Sequence, residues 1–162
     1  MSMFENDQYR WRETYFVLFH SSKAPPAKKL KETISSLNAR YTLTNLHSDS
    51  KGKLESLTIL APDDFAALDI CYVEGDEVQE QVDALADELK GIENRPEDRA
   101  RIERIRKCDA RFDVLHFEQL SGVDDADELD EMLDPSALLV VLEALAKLTD
   151  GIPVDPQSGA LL

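Results

Sequence analysis

The sequence predicts an α+β fold: a mixed, largely antiparallel sheet with helices packed on one face, arranged as a ferredoxin-like plait. Three observations carry this. Dense β-former runs alternate with segments whose apolar residues repeat at helical spacing. Two β-former runs are joined by Ser48-Asp49-Ser50-Lys51-Gly52, a turn by composition, which makes a hairpin. The resulting order, β-α-β-β-β-α-α-β-α-β, combines one crossover helix with that hairpin. An acidic connector and a buried C-terminal helix elaborate the plait.

Each element has its own signal. Residues 1–13 are polar and patternless and are expected to fray, leaving 14–162 as one domain. Residues 14–20 (TYFVLFH) are apolar without alternation, which suits a central strand covered on both faces. Pro25-Pro26 suits a helix's first turn, and Ala27, Leu30, Ile34 and Leu37 then repeat along one face. Residues 40–47 and 53–61 form the hairpin. Residues 67–73 (ALDICYV) read as the next strand. Gly75-Asp76 opens a helix with the stripe Val78, Val82, Leu85 and Leu89, closed by Gly91.

A thinner stripe of Ala100, Ile102, Ile105 and Cys108 follows Pro96. The next strand is centred on residues 112–117. After the acidic connector, Asp134-Pro135 starts a helix that is apolar almost all round, from Leu138 to Leu148, which predicts burial on more than one side. Gly151 ends it, and Ile152-Pro153-Val154 suits an edge strand because proline cannot donate to a ladder.

Charge bounds the function. The chain of 162 residues holds 33 Asp and Glu against 18 Lys and Arg, a net charge of −15. This opposes the phosphate neutralisation behind nucleic-acid affinity, and equally opposes docking on anionic lipid. The charge is polarised. Residues 1–60 hold nine Lys and Arg against six Asp and Glu, whereas residues 61–162 hold nine against 27. The longest apolar run, residues 137–142, is far too short to span a membrane, and no secretory signal is evident at the N-terminus. Cys71 and Cys108 have no metal-binding or redox spacing and read as reduced thiols of a cytoplasmic protein.

No residue set amounts to a catalytic signature. The elbow G-x-S-x-G is absent, and no two glycines lie close enough to cradle a phosphate. His20 and Ser21 are adjacent on a predicted strand end, so their side chains should diverge rather than act as base and nucleophile. No cofactor is implied. The histidines His20, His47 and His116 lack partners at metal-ligand spacing.

Two weaker constellations remain. Ser21, Ser22, Lys28 and Lys29 cluster at a helix start and could hold an anion, with His20 and His116 nearby if their strands are neighbours. The plainer reading is helix capping. The connector carries Asp124, Asp125, Asp127, Glu128, Asp130 and Glu131. It fails the EF-hand pattern, so docking to a basic partner is its functional reading and a solvated linker the plainer one. The arginines between 95 and 107 are interleaved with Glu97 and Glu103, which suits a salt-laced surface helix.

The closing stretch A-L-A-K-L-T-D-G-I-P-V-D-P-Q-S-G is similar to tails of bacterial α+β proteins and implies no activity. The sequence therefore favours a non-enzymatic protein-interaction or regulatory module. A site for a small anionic ligand near Ser21 to Lys29, in a binding domain or enzyme, is the alternative. Self-association as a homodimer, through a sheet edge or the C-terminal helix, is compatible with both.

Overall fold

The computed structural model describes residues 7–92, 96–120, 135–157 and 160–161. Its elements are β1 (Tyr9–Phe19), α1 (Ala27–Leu37), β2 (Thr42–Ser48), β3 (Leu54–Ala61), β4 (Ala66–Glu74), α2 (Asp76–Ile92), α3 (Pro96–Arg106), β5 (Ala110–Gln119), α4 (Ser136–Thr149), β6 (Ile152–Asp155) and β7 (Ala160–Leu161). Short 3₁₀ turns occupy Ser21–Lys23 and Pro62–Asp64. The order is the one the patterning predicts, with β7 added in the closing residues.

The strands form one sheet in the order β2-β3-β4-β5-β1-β6-β7, and every neighbouring pair is antiparallel. The crossover through α1 therefore steps over β3, β4 and β5. β1 lies inside the sheet between β5 and β6, and Val17, Leu18 and Phe19 are all buried, as its unbroken apolar run implies.

Strand periodicity sorts the core into two layers. On one face Val17, Phe19, Phe112, Val114, Leu68, Ile70, Leu57 and Ile59 pack against Leu30 and Ile34 of α1 and Leu138, Val141 and Leu145 of α4. Phe19, Tyr72 and Phe112 stack there, with ring centroids 4.9–5.9 Å apart. On the other face Leu18, Ile152 and Val154 pack against Val78, Val82 and Leu89 of α2 and Ile102 and Ile105 of α3. This corrects the one-faced plait: helices lie on both faces. The reason is the double burial of β1, whose alternate side chains each need a cover.

Three further expectations change. The segment 1–13 was expected to fray, yet β1 begins at Tyr9. Its polar start is held by β5, with Arg10 opposite Glu118 and Glu13 opposite His116. A bulge at Arg12 lies between these two pairs. Cross-strand polar partners satisfy this piece, which hydrophobic patterning does not register. Second, α4 is not buried all round: Leu139 and Val140 are 56% and 38% exposed. It forms an outer layer, and only one side meets the sheet.

Third, the end of α4 uses Asp150, not Gly151, for the left-handed turn, with φ 51°. Gly151 serves close approach instead. A Cβ there would stand 2.6 Å from Thr149 Oγ1 and 2.8 Å from the Leu18 carbonyl oxygen. No helix among the described residues is long and apolar enough to cross a membrane.

Candidate functional site

The turn after β1 holds the first candidate residues. His20 caps the 3₁₀ turn: its Nδ1 accepts from Ser22 N at 3.2 Å and lies 2.8 Å from Ser22 Oγ. The divergence expected for His20 and Ser21 therefore holds, but a histidine–serine contact forms two residues on instead, because the chain leaves the strand at His20. Asp109 accepts from Ser21 N at 2.7 Å and from Ser21 Oγ at 2.9 Å. Burial opposes the charge of Asp109, but these bonds and nearby His20 outweigh it and hold its carboxyl below the ordinary range.

Geometry argues against a triad here. The carboxylate serves Ser21 while the imidazole serves Ser22, so no single serine has a base oriented by an acid. The set anchors the turn to the start of β5.

Lys28 and Lys29 are exposed in the first turn of α1. The helix's N-cap is Pro26, which makes no side-chain capping bond. Serine capping of α1 is thereby corrected: Ser21 and Ser22 belong to the preceding turn. His116 does not join His20. Their strands are neighbours but antiparallel: Phe19 pairs with Ala110, and Glu13 with His116. Along β5 that places His116 about 20 Å from the Ala110 end. The acidic residues Asp124, Asp125, Asp127, Glu128, Asp130 and Glu131 lie outside the described residues.

His116 belongs instead to a buried polar cluster on the face that carries α1 and α4. Its Nδ1 lies 3.1 Å from Glu13 Oε1, and its side chain is 1% exposed. Two residues on, buried Glu118 bonds Arg10 and approaches Arg12 at 3.5 Å. Among the described residues, buried His116 Nε2 and Glu118 Oε2 have no hydrogen-bond partner.

A second place, on the opposite face, was not singled out by sequence. α2 and α3 pack over Phe16 and Leu18 of β1, Ile152 and Val154 of β6, and Val73 near the end of β4. Among the described residues, no helix covers β2, β3 and most of β4 on that side. A hollow of about 320 Å³ lies there, lined by Asn45, His47, Ser56, Thr58, Asp69 and Cys71 among others. Its register is simple: His47, Ser56 and Cys71 form one cross-strand row, and Thr44, Thr58 and Asp69 the next.

Asp69 is only 9% exposed, and its Oδ1 accepts from Thr58 Oγ1 at 2.6 Å. A bulge in β2 with Asn45 at φ 52° brings Asn45 and His47 to the rim. The sequence did hold a signal: Asp69 is the one charged residue within the strand-forming run 67–73. A charge placed among buried strand positions has a reason in structure or in binding.

Chemically the hollow offers recognition rather than attack. Burial, with Asp69 and Asp113 nearby, pushes the Cys71 thiol up and away from the reactive thiolate. Burial likewise pushes the Cys108 thiol up to about 11. No group of three or more metal-ligating side chains occurs among the described residues. Comparison with family models, with curated protein sequences and with solved structures finds no match.

Proposed function

We propose that this chain is a non-enzymatic protein-interaction module whose docking surface is the half-sheet β2–β4, and whose partner presents a basic side chain to Asp69. The observation that carries this reading is a nearly buried carboxylate at the floor of a hollow that no described helix covers. At about 320 Å³ the hollow is at the small end of binding pockets, a size for one side chain rather than a dinucleotide.

Charge supports the choice of partner, because an acidic chain attracts basic surfaces and steers their approach. The bulge at Asn45 blunts the β2 edge against strand addition, which favours docking on the face over docking on the edge. The protonated thiols and the divided serine contacts favour binding over catalysis. Cytoplasmic placement, with reduced cysteines, belongs to the same reading.

The test is a titration of the full chain, isotope-labelled for NMR, with an arginine-containing hexapeptide and its citrulline counterpart. Amide shifts should map to β2–β4 for the arginine peptide and weaken at least tenfold in affinity with Asp69→Asn. Shifts that are absent, or equal for both peptides and both proteins, reject the reading.

A further inference from the structure

A second hollow, of about 140 Å³, lies at the other end of the covered half of the sheet. Three chain segments meet there. The turn after β1 supplies His20 and Lys23, the end of α3 supplies Arg104, Lys107 and Cys108, and the turn after α4 supplies Asp150. The segments are tied together. Asp109 holds the first turn through Ser21, and Arg104 Nη2 donates to the Asp150 carbonyl at 2.7 Å and reaches its Oδ1 at 3.3 Å.

The charges are unevenly committed. Asp150, the one carboxylate lining the hollow, is engaged by Arg104. Glu103 pairs with Arg106 rather than Lys107, because α3 ends at Arg106 and Lys107 leaves the helical register. Among the described residues Lys23 and Lys107 have no ion-pair partner. His20 uses Nδ1 for Ser22. The Cys108 thiol donates to the Arg104 carbonyl at 3.4 Å and forms a neutral part of the wall.

We infer that this hollow binds a compact tetrahedral oxyanion, inorganic phosphate or the terminal group of a phosphomonoester, held by Lys23, Lys107 and His20 with Arg104 at the rim. Ammonium groups gathered around one cavity repel each other, and an anion between them turns that repulsion into charge-assisted hydrogen bonds. The volume is well below the roughly 300 Å³ at which pockets for larger metabolites begin, so the ligand's recognised part is small. The site is independent of the Asp69 hollow and shares no lining residue with it. The helix-start site suggested by the sequence is thereby moved: His20 stays, and Lys23 and Lys107 take the place of Lys28 and Lys29.

The experiment is calorimetric titration of the full chain with inorganic phosphate at fixed ionic strength. Saturable binding is expected, at least tenfold weaker in the double variant Lys23→Gln with Lys107→Gln and unchanged in Lys28→Gln with Lys29→Gln. All four lysines are exposed or in turns, and circular dichroism checks that both variants fold. A parallel titration with glycerol phosphate separates the sources. Tighter binding than phosphate identifies a phosphomonoester, and equal or weaker binding identifies free phosphate. Absence of saturable binding to both probes, or equal loss in both double variants, overturns the inference.

Discussion

The two halves of the sheet are built on different terms. β1, β5 and β6 lie between helix layers, and three consecutive residues of β1 are buried. β2 is exposed along almost its whole length, and among the described residues β3 has helical cover on one face only. The covered half is held by apolar packing on both sides and has little room for polar groups except at its ends. The open half must satisfy its polar side chains across the sheet, as Thr58 and Asp69 do. Two-sided apolar packing is therefore confined to one half, and the Asp69 hollow is mounted on a sheet anchored by its neighbour.

This contrast can be broken most forcefully at Phe112, where the aromatic cluster joins β5 to β1 and β4. Phe112→Ala should cost about 3–5 kcal/mol, from lost burial and the cavity left behind. Urea unfolding reads this as a large fall in the midpoint with little change in slope. A loss below about 1 kcal/mol would mean the covered half is not the mechanical centre.

The open half should respond more gently. Thr58→Val removes one buried hydrogen bond to Asp69 and should cost about 1 kcal/mol. Native-state hydrogen exchange sharpens the comparison further, because the variant should accelerate β2 and β3 amides before those of β1 and β5. Uniform acceleration would place both halves in one cooperative unit.

The smallest effect concerns acid. Asp109 is held below its ordinary value in the fold by Ser21 and His20, against the opposing effect of burial. A depressed folded value means its contribution is complete above the unfolded value of about 3.9 and disappears as pH falls through the lower folded value. Stability of the native chain should thus decline through that window, and Asp109→Asn should flatten this part of the profile. Equal acid sensitivity in both proteins would remove Asp109 from the anchoring role.

Much of the fold was legible in the sequence because apolar spacing responds directly to burial. Val78, Val82 and Leu89 lie on one helical stripe and all meet the sheet. Thr14 to Phe19 reads as a strand from composition alone. The start of β1 was not legible: Arg10 and Glu13 are held by partners on β5, more than a hundred residues away in sequence. Lys107 was legible as a charge but not as one without an ion-pair partner among the described residues, since that depends on where α3 stops.

By itself, then, the sequence determined the order of elements, the net charge of −15, the central place of the 14–20 run and the lack of a catalytic signature. Tertiary structure alone decided that the helices occupy both faces and that His20 and His116 lie apart. It also decided that Asp69 and Lys107 each line a hollow. The reason is physical. Periodicity records which side of an element is buried, a local property. Which elements supply that burial, and which polar groups they leave facing one another, depends on strand order and direction, which no short window of sequence contains.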